Sequence, residues 1–195
     1  MKTAIIKYNA GNIQSVAYAL ERLGASFIIT DIPEEIASAD NVIFPGVGQA
    51  QTTMAYLRKQ NLDKLIRKLN QPVLGICLGM QLLCGFSEEG NTPCLGIFDE
   101  TVKRFAPDAQ HKVPHMGWNQ VEFKTNGIGL FMQPANFYFV HSYYVPVNKY
   151  TIAQCHYGEP FSAMMRKDNF LAVQFHPEKS GQAGEHVLRY FLQSF

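Results

Sequence analysis

The run Pro72-Val73-Leu74-Gly75-Ile76-Cys77-Leu78-Gly79-Met80-Gln81 constrains this chain more than any other stretch. Val73, Leu74 and Ile76 read as a strand and Leu78 to Leu83 as a helix, with one cysteine between them and glycines two before and two after it. A chain that turns from strand to helix within one residue brings two backbones too close for a Cβ at the flanking positions, and glycine relieves the crowding. Such an elbow lifts its central side chain to the C-terminal edge of a parallel sheet. It also sets the sulfur at a helix N-terminus, where the macrodipole favours thiolate. The competing reading is a buried structural cysteine, since a free thiol packs as a small hydrophobe.

Around this elbow the order of elements is that of a doubly wound α/β fold. Thr3 to Lys7 reads as a strand, followed by the loop Tyr8-Asn9-Ala10-Gly11-Asn12 and a helix whose apolar face carries Val16, Ala19, Leu20 and Leu23, closed by Gly24. Ser26 to Ile29 and Asn41 to Phe44 are strands joined by an acidic connection, Pro33-Glu34-Glu35. The second of them runs into Pro45-Gly46-Val47-Gly48, and Gln49 to about Leu69 is helix with a break near Asn61. A mostly parallel sheet follows, with its ligand site at the carboxyl ends of the strands.

After Ser87-Glu88-Glu89-Gly90 the pattern becomes short β segments: Thr101 to Phe105, Asn119 to Phe123, Asn136 to Val140, Thr151 to Cys155, Phe161 to Arg166 and Leu171 to Phe175. These predict antiparallel strands in the C-terminal half. Arg166-Lys167-Asp168-Asn169 reads as a hairpin turn in which Asp-Asn supplies φ > 0, and a helix over Gly184 to Phe195 closes the core. The aromatic run Phe137-Tyr138-Phe139 is assigned to the buried sheet.

With 195 residues and 47% hydrophobic content, residues 1–195 are expected to form a single domain. Seventeen basic against sixteen acidic residues give a net charge of +1, which is no electrostatic footprint for nucleic acid or an anionic membrane. There is no secretory h-region and no run of ~18 apolar residues, so a soluble, cytoplasmic protein is expected. Cys77, Cys84, Cys94 and Cys155 form no C-x-x-C pair and share no zinc spacing with the histidines. Reduced thiols, no metal and no cofactor are expected. His111, His115 and His156 are read as surface or packing histidines.

The chemistry is concentrated in two further stretches. Phe175-His176-Pro177-Glu178 follows an apolar strand, so His176 should emerge at a strand end with Glu178 on the same side of an extended chain. Pro177, lacking an N–H, marks the point where the strand leaves the ladder. A nucleophilic thiol needs a base, and the base needs a third group to orient it; Cys77, His176 and Glu178 supply all three. The alternative is a satisfied half-buried histidine beside a solvated glutamate. Pro45-Gly46-Val47-Gly48 is too short and too poor in Lys, Ser and Thr for a phosphate cradle. The peptide N–H of Val47, with that of Leu78, would make an oxyanion hole, against the plainer reading of an ordinary βα turn.

Taken together, Gly75-Ile76-Cys77-Leu78-Gly79-Met80-Gln81 and Phe175-His176-Pro177-Glu178-Lys179-Ser180 resemble the class I (triad) glutamine amidotransferases. Tyr8-Asn9-Ala10-Gly11-Asn12, Pro45-Gly46-Val47-Gly48, Pro114-His115-Met116-Gly117-Trp118-Asn119 and His141-Ser142-Tyr143 are similar to the branch of that family formed by the glutaminase subunits of imidazole glycerol phosphate synthases. The resemblance covers essentially the whole chain. It implies a flavodoxin-like fold and hydrolysis of glutamine, with Cys77 as nucleophile, His176 protonating the departing ammonia and Glu178 orienting His176. It further implies that Gln81, Gly48, Ser142 and Tyr143 hold the amino-acid part of glutamine.

The partner implied is a (β/α)8 barrel cyclase in a heterodimer, which uses the ammonia in histidine biosynthesis. Asn12, Trp118 and Lys179 are the expected interface residues. The chain alone is expected to be nearly inactive, with the Val47 N–H turned from the thiol between two flexible glycines until the barrel binds its nucleotide. Rival readings are the glutaminase subunit of an anthranilate or pyridoxal phosphate synthase, a non-catalytic partner-binding paralogue, and a solitary γ-glutamyl hydrolase.

Overall fold

The computed structural model describes residues 1–8, 13–107, 109–124 and 134–194. Strand β1 (Lys2–Ile6) leads to α1 (Ile13–Arg22), β2 (Ser26–Thr30), α2 (Pro33–Ala37), β3 (Asn41–Phe44), α3 (Ala50–Lys59), α4 (Leu62–Ile66), β4 (Val73–Ile76) and α5 (Leu78–Leu82). There follow β5 (Cys84–Ser87), β6 (Thr92–Pro93), β7 (Phe98–Arg104), β8 (His115–Phe123), β9 (Ala135–His141), β10 (Tyr143–Tyr144), β11 (Thr151–Tyr157), β12 (Glu159–Lys167) and β13 (Phe170–Val173). A 3-10 turn (Pro177–Lys179) and α6 (Gly181–Ser194) complete the chain.

Among the described residues the main sheet has nine strands in the order β2-β1-β3-β4-β13-β12-β11-β8-β9. From β2 through β13 every pairing is parallel, and from β13 through β9 every pairing is antiparallel. This is the α/β sheet expected from the sequence, with β13 as the strand where the two halves join. The strands are buried on both faces because their apolar residues alternate between two cores. Ala4, Val42, Phe44, Val73 and Ala172 pack with the inner faces of α2 to α5; Ile5, Ile43, Leu74, Leu171 and Val173 pack with α1 and α6. The break in the long helical stretch is Asn61, whose left-handed φ of 57° separates α3 from α4.

Several expectations need correcting. The acidic connection is a short helix, α2, started by Pro33 at its first turn with Glu34 and Glu35 beside it. A second sheet, β10-β7-β5-β6, was not read from the sequence, since Cys84–Ser87 and Thr92–Pro93 are too short to carry periodicity. In the β12–β13 turn Asp168 has positive φ (50°) and Asn169 does not. The strand before His176 ends at Val173, and Glu178 lies in a 3-10 turn instead of an extended chain. Phe137 and Phe139 are buried, but alternation along β9 turns Tyr138 to the other face, where it is half-buried.

Candidate active site

The elbow has the geometry its glycines require. The Cys77 N–H makes the last ladder bond, to Val173 O at 2.8 Å, and the Cys77 carbonyl already accepts from Gln81 N at 3.2 Å. At Cys77 itself φ is 53° and ψ −110°, a strained conformation for a residue with a side chain. A Cβ on Gly75 would meet Leu83 Cδ1 at 2.6 Å, and one on Gly46 would meet the Gly79 N at 2.3 Å. The 45–48 loop is therefore wedged directly against the start of α5. Of the two glycines beside Val47, both expected to be flexible, Gly46 is clamped against α5, whereas Gly48, at φ +118°, has open surroundings.

His176 reaches the sulfur from the neighbouring strand end. Its backbone N–H donates to Tyr138 O at 2.9 Å. Ser180 ties the same segment to β9, accepting from Tyr138 N at 3.0 Å and donating to His176 O at 2.7 Å. Phe175 stacks on Phe137 at 4.0 Å between centroids. So braced, the imidazole Nδ1 donates to Glu178 Oε1 at 2.8 Å with both side chains out of solvent. Burial acts against the imidazolium, but the charge of the Cys77 sulfur and then Glu178 outweigh it and raise His176 to about 10. The buried Nε2 makes no hydrogen bond of ordinary geometry among the described residues. The 3-10 turn thus does what an extended chain was expected to do: it folds Glu178 back under Nδ1.

Beside the sulfur lies a cavity of about 330 Å³ lined by Val47, Gly48, Cys77, Leu78, Gln81, Ser142 and Tyr143, among others. All the residues expected to form the oxyanion hole and hold the substrate are therefore brought together. The Ser142 carbonyl accepts from Phe105 N at 3.0 Å. The Tyr143 carbonyl accepts twice, from Gln81 Nε2 at 2.9 Å and His141 Nδ1 at 2.7 Å. Tyr143 therefore meets a ligand through its N–H and side chain, whereas the Ser142 carbonyl keeps a second lone pair.

Three residues, Glu89, Gln174 and His141, were missed as site residues. Glu89 brings a carboxylate to the cavity, its Oε2 accepting from Ala50 N at 2.7 Å at the start of α3. Gln174, fully buried, accepts from Gln81 at 3.0 Å and donates to Cys77 Sγ at 3.7 Å. A polar residue inside the apolar run Leu171 to Phe175, two before His176, was the available signal. His141 and His115 form a buried pair, with His115 Nδ1 3.0 Å from His141 Nε2. The tautomers follow from the ends of the chain. His141 Nδ1 faces a carbonyl and must donate, so its Nε2 accepts from His115 Nδ1, and His115 Nε2 accepts from Asn119 Nδ2 at 3.3 Å. Burial pushes His141 down to about 3; burial, and then His111, push His115 down to about 4. His115 is thus a hydrogen-bonded core residue.

Of the expected interface residues, Asn12 lies outside the described residues. Trp118 and Lys179 converge on Tyr138: the Trp118 ring meets it edge-on at 6.2 Å, and Lys179 Nζ sits 5.9 Å from its centroid. Trp118 is 59% exposed and Met116, two residues away on β8, is 62% exposed. Among the described residues no group of His, Cys, Asp and Glu is arranged to hold a metal ion.

A sharp βα elbow carrying a cysteine beside a buried His–Glu pair, at the carboxyl edge of a doubly wound sheet, is the set of groups that nucleophilic catalysis by a thiol requires. Residues 4–194 match the family model described as glutamine amidotransferase class-I. The "Imidazole glycerol phosphate synthase subunit HisH" of Bacteroides fragilis (strain YCH46) is 59% identical over 195 residues, 99% of this chain and 100% of the relative. The protein of the same name from Escherichia coli (strain K12) is 48% identical over 197 residues, 99% of this chain and 100% of the relative. The chain belongs to the class I glutamine amidotransferases, within the branch of the imidazole glycerol phosphate synthase subunit HisH. Two solved glutamine amidotransferases share the fold. One, at 21% identity, has a TM-score of 0.75 and covers 97% of both chains. The other, from Thermotoga maritima, is 16% identical with a TM-score of 0.62, covering 97% of this chain and 82% of that one.

Proposed function

We propose that this chain hydrolyses glutamine to glutamate and ammonia and delivers the ammonia to a cyclase subunit that makes imidazole glycerol phosphate and an aminoimidazole carboxamide ribonucleotide in histidine biosynthesis. The observation that carries the reading is Cys77 at the wall of a cavity, electrostatically coupled to a buried, hydrogen-bonded His176–Glu178 pair.

Glutamine enters with its carboxamide against Cys77 and its amino-acid end toward Gly48, Gln81, Ser142 and Tyr143. Both Gln81 Nε2 hydrogens are committed, to Tyr143 O and Gln174 Oε1, so Gln81 meets the ligand as an acceptor through Oε1. That suits an ammonium group, as does the Glu89 carboxylate. The Cys77 thiolate attacks the carboxamide carbon; a C–S bond forms, and the oxyanion is held by the N–H groups of Val47 and Leu78. His176 gives its proton to the amide nitrogen, the C–N bond breaks, and ammonia leaves. Neutral His176 then takes a proton from water, whose oxygen attacks the thioester carbon. The C–S bond breaks, releasing glutamate and restoring the thiolate. Glu178 holds Nδ1–H throughout and stabilises the imidazolium.

The chain acts as one amidotransferase domain, cytoplasmic and without a cofactor, seated on the mouth of a (β/α)8 barrel cyclase as a heterodimer. The face carrying Met116, Trp118 and Lys179 is the docking side, joined to the site through Tyr138, whose carbonyl binds the His176 N–H. The test is glutamate release from glutamine by the purified chain alone and with the cyclase and its phosphoribulosyl formimino carboxamide nucleotide, with Cys77→Ala as control. Stimulation by the cyclase that is lost in Cys77→Ala is expected. Activity indifferent to the cyclase would point to another synthase, and no activity under either condition would leave a binding subunit.

A further inference from the structure

We propose that Gln174 is a catalytic hydrogen-bond donor to the Cys77 sulfur, holding the thiolate through its side-chain N–H. This deepens the glutaminase reading and rests on it.

The direction of the Gln174 amide is settled by the groups beyond it. The Tyr143 carbonyl can only accept, so the end of the Gln81 amide 2.9 Å from it is Nε2. That same Nε2 lies 3.0 Å from the Gln174 amide, which must therefore present Oε1 to it. Gln174 Nε2 is then the end turned to Cys77 Sγ, at 3.7 Å. Flipping Gln174 would set two donors against each other, and flipping Gln81 as well would set its oxygen against the Tyr143 carbonyl. His141 fills the other lone pair of that carbonyl and removes the remaining freedom.

The sulfur has another polar neighbour, Val140 O at 3.8 Å. A carbonyl can take the proton of a thiol but cannot support an anion. When the proton leaves, Gln174 is a donor already within hydrogen-bond distance of the sulfur, and the imidazolium of His176 supplies opposite charge. His176 must give up its proton to ammonia during the cycle; Gln174, a neutral amide, keeps its own. It is thus the donor whose proton stays beside the sulfur through every step of the cycle, while that of His176 comes and goes. Gln174 is fully buried, so its hydrogen bond meets no competition from water.

The test is the pH dependence of Cys77 alkylation by iodoacetamide in the full chain, free and bound to the cyclase, followed by mass spectrometry. Cys77→Ala gives the background from Cys84, Cys94 and Cys155. Gln174→Met removes the donor at similar volume. Gln174→Glu keeps an acceptor for Gln81 and so protects the fold if the first variant is unstable. The alkylation midpoint is expected to rise by about one pH unit or more in each variant, and the acidic limb of kcat/KM to move with it. An unchanged midpoint in a folded variant would reduce Gln174 to a packing residue and overturn the proposal. Because alkylation needs no glutamine, failure of the glutaminase reading would appear separately, as a wild-type chain that releases no glutamate with any synthase partner.

Discussion

A Cβ on Gly79 would lie 2.0 Å from the carbonyl oxygen of Phe44. That oxygen is backbone at the end of β3, so it cannot turn aside as a side chain would. Gly79→Ala is therefore expected to cost about 3 kcal/mol or more, by separating α5 from β3 or by preventing folding. Gly75→Ala first meets the side-chain end of Leu83, at 2.6 Å, which can shift where a backbone oxygen cannot, and is expected to cost less. Urea unfolding of the two variants gives the comparison; equal losses would mean the crowding at Phe44 is not what sets the elbow.

Glu178→Gln keeps an oxygen near His176 Nδ1 but removes the charge that steadies the imidazolium. Glutamate release by the cyclase complex is expected to fall about a hundredfold or more in kcat, with a much smaller change in KM. A variant that retains wild-type kcat would make the 2.8 Å contact merely structural.

His115 and His141 are buried neutral, at about 4 and about 3, against about 6.5 in the unfolded chain. The unfolded state then binds more protons below pH 6.5, so their contribution is complete above that pH. It is lost as pH falls toward 4, by up to about 1.4 kcal/mol per unit for each histidine. His176 works in the opposite sense: raised to about 10, it contributes below pH 6.5, and that contribution is lost as pH rises through about 10. Urea unfolding between pH 7.5 and 4.5 should show the acid loss, with a shallower slope in His115→Gln. A flat profile would mean the pair is hydrated in solution.

Val47→Pro removes the N–H assigned to the oxyanion hole while leaving the docking face alone. Cyclase binding is expected to persist and stimulated glutaminase activity to be lost, by about a hundredfold. Retained activity would place the hole elsewhere.

Trp118 is mostly exposed and meets Tyr138 only at its edge, so Trp118→Ala should change the melting temperature little. Cyclase affinity, measured by calorimetry, is expected to weaken about tenfold or more. Unaltered affinity would move the docking face away from β8.

Much of this was legible in the sequence because it is decided within a few residues. The glycines around Cys77, Gly24 after α1 and the proline after His176 act through their own backbone, and a doubly buried strand announces itself as an apolar run. Cys77 and His176 were legible as candidates because each follows such a run, and Glu178 by its place two residues on, though not the 3-10 turn that brings it to Nδ1. The small sheet was not, since its strands are too brief to show a period and exist only through their partners. Nor was the polar network. Gln174 meets Cys77 across 97 positions of sequence, and His141 meets His115 across 26. Their side chains say nothing of those partners until the pairing of β13 with β4 and of β8 with β9 sets them side by side. The sequence by itself determined the elbow, the helices and strands around it and the residue types at its mouth, through local backbone constraint. Only the tertiary structure decided which way each buried amide and imidazole points, because that direction is imposed by a fixed carbonyl several residues or a whole strand away.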